Sequence, residues 1–175
     1  MGEAMLRHRL DALGVEARVH SAGVSIEGRP AMPPGVEVLS RRGLDITPHR
    51  SRRITTALVL PADLVLGMAR EHVRDAVALV PEAWPKTFTL KELVRRGHDA
   101  GARRSDESVD EWLARVHEGR SSRDLLGWSP DDDVADPIGL STTFYAEIAD
   151  EIETFVGELV ALAWAPELQM TEGRR

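Results

Sequence analysis

The chain has 175 residues and a mass of 19.3 kDa, with 42% hydrophobic and 29% charged residues, the size and balance of one globular domain with a hydrophobic core of its own. A formal charge of −7 and a pI of about 5.4 argue against nucleic acid or an anionic membrane surface as the partner. These residues include no cysteine, which excludes disulfides, thiolate metal sites and a cysteine nucleophile within them.

The chain opens inside an amphipathic helix, with Leu6, Leu10 and Leu13 on one face and Gly14 as its C-terminal stop. Val15 to Ala22 alternates and predicts a strand, followed by a loop at Ser21-Ala22-Gly23. Gly28, Pro30, Pro33, Pro34 and Gly35 mark an irregular stretch before a short helix, Val36 to Arg42, closed by Gly43. A polar connector follows from Leu44 to Arg53, carrying Pro48, His49 and Arg50-Ser51-Arg52-Arg53. Thr55 starts a second short helix. The apolar run Asp63-Leu64-Val65-Leu66-Gly67-Met68 predicts a parallel strand buried on both faces.

Val73, Ala76, Val77 and Val80 then pattern a helix that Pro81 and Pro85 end. Lys86 to Thr89 reads as a short strand and Leu90 to Val94 as helix, with a loop from Gly97 to Arg104. Val109, Trp112, Leu113 and Val116 mark another helix, and Gly119 to Gly139 reads mainly as loop. Phe144, Ile148, Ile152, Phe155, Leu159 and Leu162 describe a long amphipathic helix ending near Trp164, and 166–175 is expected to be a flexible tail. The order of elements fits an α/β fold, a three-layer, doubly wound parallel sheet. No run approaches the ~18 apolar residues of a membrane span, and no signal-peptide pattern opens the chain. The cytoplasm is the expected compartment.

Several short patterns fall in one order: Gly2-Glu3-Ala4-Met5-Leu6, Ser21-Ala22-Gly23, Gly28-Arg29-Pro30-Ala31, Arg42-Gly43-Leu44-Asp45, His49-Arg50-Ser51-Arg52, Ala62-Asp63-Leu64-Val65-Leu66-Gly67-Met68 and Val134-Ala135-Asp136-Pro137-Ile138-Gly139. Each is weak alone. Their order and spacing resemble the low-molecular-weight protein-tyrosine-phosphatase family, whose sister groups include protein-arginine phosphatases and some arsenate reductases. The resemblance runs from Met1 to about Trp164 and makes 1–165 one phosphatase-like domain, with a helical insertion at about 97–130.

The family's chains open with a strand and a phosphate-binding loop, a cysteine followed five residues later by Arg-Ser. Met1 matches the apolar residue that comes soon after that loop. On this reading the opening strand, the nucleophile and the phosphate-clamping arginine lie upstream of Met1, and the chain as given is expected to be inactive. A phosphatase whose full-length form is longer and a pseudophosphatase that serves as a binding or regulatory module both fit, as does a relative of the arginine phosphatases or arsenate reductases.

The resemblance assigns three residues. Asp136, followed by Pro137, matches the family's general acid/base, which protonates the leaving group and then activates water against a cysteinyl-phosphate. Alternatively it ends an acidic surface run with Asp131, Asp132 and Asp133. Ser21 and His49 match positions that hydrogen-bond to the phosphate loop and hold it ready, or they are an ordinary strand-end hydroxyl and loop histidine. Ile138 stands where some relatives place an aromatic against the phosphotyrosine ring, which leaves phosphotyrosine and phosphoarginine both open as substrate. The substrate implied is a phosphorylated protein, and no cofactor is expected. His8, His20, His72, His98 and His117 lack zinc-ligand spacing, so no metal is expected either. Arg50, Arg52 and Arg53 read as a solvated basic face, while Trp112 and Trp128 are expected to pack the insertion onto the core.

Overall fold

The structure, a computed structural model, describes residues 1–25 and 27–164; the tail expected at 166–175 lies outside them. It is α/β with a parallel sheet, as the order of elements predicts. The chain divides into two compact units. One comprises Met1–Ile54 with Val134–Gly157, the other Thr55–Asp133 with Glu158–Arg175.

The first unit is built from α1 (Gly2–Ala12), α2 (Pro33–Ser40) and the first part of α7 (Thr142–Ala163). α1 stops where expected: Gly14 takes φ 69° and the Val15 amide returns to the Leu10 carbonyl. Two prolines occupy the first positions of α2, where their missing N–H groups cost nothing. Met5, Leu10, Val38, Leu39, Ile148 and Ile152 are buried. At the surface Arg42 joins the end of α2 to α7, pairing with Asp150 and, at 3.3 Å, with Glu153.

The strand predicted over Val15–Ala22 does not form. The segment has no secondary structure, and the nearest ladder contact is just after it, where Gly23 bridges Arg53 in parallel. A strand exists only where a neighbour takes its hydrogen bonds, and alternation cannot supply the neighbour.

The second unit holds the sheet. β1 (Val65–Gly67) pairs in parallel with β2 (Thr87–Thr89), Val65 against Thr87 and Gly67 against Thr89. α3 (Thr56–Val59) precedes β1, and α4 (Arg70–Leu79) with a 3₁₀ turn (Pro81–Lys86) makes the crossover to β2. α5 (Leu90–Ala100) starts on a capping box, the Glu92 amide donating to Thr89 Oγ1 at 3.0 Å. α6 (Val109–His117) starts on another, built by Ser108 and Glu111. A 3₁₀ turn (Ser122–Leu125) lies within the stretch expected to be mainly loop.

Helix α5 runs past the boundary expected at Gly97. A Cβ at that position would stand 3.0 Å from Leu162 and 3.1 Å from the Trp112 ring, so Gly97 is there to let the helices close up, not to end one. Trp112 is fully buried as expected, its indole N–H donating to the Gly101 carbonyl at 3.0 Å. Trp128 is 72% exposed and packs nothing onto the core, contrary to expectation.

Buried charge ties this unit together. Arg120 follows α6 and pairs with Glu92 of α5 at 2.7 Å, the two side chains being 1% and 7% exposed. Its guanidinium also donates to the Trp84 and Thr87 carbonyls and lies over the Trp84 ring at 3.8 Å. Removing one partner of such a pair leaves a bare buried charge. Arg120→Ala is therefore expected to cost about 3–5 kcal/mol in urea unfolding.

Glu107 sits in a second such cluster, bound by Arg115 at 2.8 Å and by the Arg104 amide at 3.0 Å. The Arg115 hydrogen bond, offset in part by burial, takes its carboxyl from 4.5 down to about 2. A lowered folded-state pKa stabilises above the unfolded value, and that stabilisation disappears as pH falls through the folded one. The stability difference between wild type and Glu107→Gln is thus expected to be full above pH 4.5 and to vanish as pH falls towards about 2, measured by denaturation at stepped pH.

Candidate functional site

In the first unit the structure gathers two of the three assigned residues onto one carboxylate. Glu3 stands in the first turn of α1, where an acidic side chain also meets the positive end of the helix dipole. Ser21 Oγ donates to Glu3 Oε2, and His49 Nδ1 lies 3.8 Å from the same oxygen. Arg7, one helical turn on, donates to Glu3 Oε1 and also reaches the Val19 carbonyl at 2.7 Å. Burial raises the Glu3 pKa, but hydrogen bonds from Ser21 and Arg7 outweigh it and hold the carboxyl below its ordinary value.

The backbone explains why such distant residues meet. The Gly23 amide donates to the Arg52 carbonyl at 3.0 Å, and the Ile54 amide to Gly23 at 2.9 Å. Pro30 bridges Arg50, and the Ser51 amide donates to the Arg29 carbonyl at 2.8 Å. These contacts lay the segment after Ser21 alongside the one after His49. Sequence reading missed Glu3. Its signal was available: an acidic residue in the first turn of the motif Gly2-Glu3-Ala4.

Asp136 is not part of that cluster. It is exposed, on a stretch without secondary structure, and its Oδ1 accepts the Ile138 amide at 2.9 Å. The Leu140 amide closes on the Pro137 carbonyl at 3.0 Å, Gly139 takes φ 83°, and Ile138 is 67% exposed. The result is a tight polar turn that offers a carboxylate to solvent.

The alternative of an acidic surface run fails for two of its members, because Asp132 and Asp133 are buried. Asp132 takes Arg70 Nη2 and Arg95 Nη2, both at 2.8 Å. Asp133 accepts the Arg70 amide at 2.7 Å and the Ser129 amide at 2.8 Å. They anchor the chain just before it leaves the second unit, and Asp136 differs from both in being exposed.

The Arg50 guanidinium donates to the Thr47 and His49 carbonyls, while Arg52 and Arg53 are exposed. Among the described residues no group of His, Asp and Glu could hold a metal ion. No helix among them is long and apolar enough to cross a membrane.

Comparison with known proteins agrees on one family. The family profile described as low molecular weight phosphotyrosine protein phosphatase matches residues 1–111, a match that stops short of Asp136. The chain is 33% identical over 120 residues to the "Probable low molecular weight protein-tyrosine-phosphatase EpsP" of Ralstonia solanacearum, covering 68% of this chain and 80% of that one. It is 29% identical over 161 residues to the protein-arginine-phosphatase of Bacillus subtilis, covering 91% and 84%. The crystal structure of a low molecular weight protein tyrosine phosphatase from T. tengcongensis superposes with a TM-score of 0.67 at 30% identity, covering 91% and 86%.

The Glu3 cluster gives a direct test. Ser21→Ala removes a donor to the carboxylate, and the Glu3 titration midpoint is expected to rise towards 4.5 when followed by carboxyl ¹³C NMR.

Proposed function

Because the chain belongs to the low molecular weight phosphotyrosine protein phosphatase family, we propose that it is the frame of a phosphatase in which Asp136 moves the proton. In the first step a cysteine thiolate attacks phosphorus, and the protonated Asp136 delivers its proton to the leaving oxygen or nitrogen. In the second step the Asp136 carboxylate takes a proton from water as that water attacks the cysteinyl-phosphate, freeing the thiolate and phosphate.

One observation carries this reading. Asp136 is exposed beside Pro137, with the Ile138 amide on its carboxylate and no arginine partner among the described residues, unlike the buried Asp132 and Asp133. A group clamped as Asp132 is, between two guanidiniums, cannot serve as an acid near neutral pH. Supporting it, Ser21 and His49 already converge on Glu3 at the start of α1, as residues built to hold a neighbouring loop would.

The thiolate is not among these 175 residues. The chain by itself is therefore read as inert, and that same absence supports the second reading, a binding module that keeps the frame without the chemistry. The substrate proposed is a phosphorylated protein. The relatives' names give tyrosine in one and arginine in the other, and the exposed aliphatic Ile138 is compatible with both. The cytoplasm is the compartment proposed.

Two measurements test the reading. The purified chain alone is expected to leave para-nitrophenyl phosphate unhydrolysed, and turnover free of contaminating enzyme would overturn the claim of inertness. A chimera carrying the cysteine loop of the Bacillus subtilis relative ahead of Met1 is expected to hydrolyse phosphotyrosine or phosphoarginine. Asp136→Asn in that chimera is expected to lower kcat by ~10²–10⁴-fold, the range of general acid–base catalysis. An unchanged kcat would remove Asp136 from the mechanism.

A further inference from the structure

His117 is the last residue of α6 and lies partly buried against two aromatic rings. Its imidazole stands edge-on to Trp84 of the 3₁₀ turn, 5.4 Å away at 82°, and to Phe88 of β2, 6.3 Å away at 84°. The Arg120 guanidinium lies over the same two rings, 3.8 Å from Trp84 and 3.9 Å from Phe88. Its Nη1 is 3.1 Å from His117 Nδ1. A guanidinium carries donors and no acceptor, so this contact has only one polarity: Arg120 donates and Nδ1 accepts. The imidazole is therefore neutral there, with its proton on Nε2.

The surroundings oppose a second proton. It would go to Nδ1, abolish the hydrogen bond and set two cations face to face. Arg96 of α5 adds another positive charge, its Nε fixed to the Val116 carbonyl at 2.8 Å. Glu92 of α5 is the nearby carboxylate, but Arg120 Nε and Nη2 already hold it at 2.7 and 2.9 Å. Of the other charges on these elements, Lys86 reaches the Leu60 carbonyl, Glu82 is exposed, and Arg115 of α6 is taken by Glu107. Burial first, then Arg120 and Arg96, hold the imidazole below its ordinary value, with Glu92 opposing in part.

Protonation must displace one of the two groups. Arg120, its side chain 1% exposed, still has Glu92, the Thr87 carbonyl at 2.9 Å and the Trp84 carbonyl at 3.2 Å when His117 is lost. The imidazole has water within reach and no second anchor of that strength. The ring gives way, not the ion pair. We propose that His117 is an acid-released latch: neutral, it closes the end of α6 over the Trp84–Arg120–Phe88 stack, and protonated, it swings into solvent while Arg120 stays on Glu92. The latch does not depend on the role given to Asp136.

Imidazole ¹⁵N–¹H correlation spectra read the first half of the proposal, the His117 signals being identified by their loss in His117→Gln. At neutral pH the Nε2–H tautomer is expected, with a titration midpoint below the ordinary ~6.5. Arg96→Gln removes a nearby charge and is expected to raise the midpoint without changing the tautomer, which separates the hydrogen bond from charge alone. Nuclear Overhauser contacts read the second half. Those from the His117 ring to Trp84 and Phe88 are expected to disappear as pH falls through the midpoint, while the Arg120 Nε proton stays protected from exchange. An Nδ1–H tautomer at neutral pH would overturn the proposal, as would ring contacts that survive once His117 is protonated. Loss of Arg120 Nε protection through the same midpoint would overturn it too, since the ion pair would then be the part that yields.

Discussion

A carboxylate withdrawn from water must be met by donors, and the architecture of this molecule is arranged around that demand. In the second unit Glu92, Glu107, Asp132 and Asp133 are all buried. Three are answered by arginine forks, Glu92 by Arg120, Glu107 by Arg115, and Asp132 by Arg70 and Arg95. Asp133 is answered by backbone amides. Each pairing fastens a loop or helix end to the helices around the β1–β2 ladder, which is only three residue pairs long. So short a ladder cannot hold a unit by itself, and the ion pairs supply the register that a longer sheet would have supplied. A planar guanidinium can serve a carboxylate and several carbonyls at once, which suits a chain with Lys86 and Lys91 as its only lysines.

The first unit applies the same rule on a smaller scale. Glu3 is met by Ser21 and Arg7, with His49 close by, and these come from three separate stretches of chain. A hydroxyl, an imidazole and a helix N-terminus meet at one place, and the backbone bridge of Gly23 to Arg53 lies beside them. Asp136 is governed by the opposite rule. It keeps its carboxylate in water, with the Ile138 amide as its contact among the described residues.

What could be read from sequence divides along physical lines. The helices were legible because their signals are local: Gly14 and Gly43 end α1 and α2 with positive φ, and Thr89 and Ser108 begin α5 and α6 with capping boxes. β1 was legible because an apolar run between two helices has few other homes, and β2 because Pro81 and Pro85 end the helix before it. Val15–Ala22 was not, because alternation states only that a segment could be a strand, while pairing decides whether it is one. Gly97 misled for a related reason. A glycine that ends a helix and a glycine that lets another helix approach look alike in sequence, and only the 3.0 Å gap to Leu162 separates them.

The acidic stretch at Asp131–Asp136 shows how far residue identity can carry a site. Sequence lined up four aspartates within six residues and left Asp136 either as the general acid/base or as the end of an acidic surface run. The structure sorts them by environment. Asp132 and Asp133 are anchors, Asp131 is exposed, and Asp136 is exposed on a turn of its own beside a proline. The environment removes Asp132 and Asp133 and leaves two exposed aspartates, Asp131 and Asp136, and it is the family resemblance, through Pro137, that chooses between them.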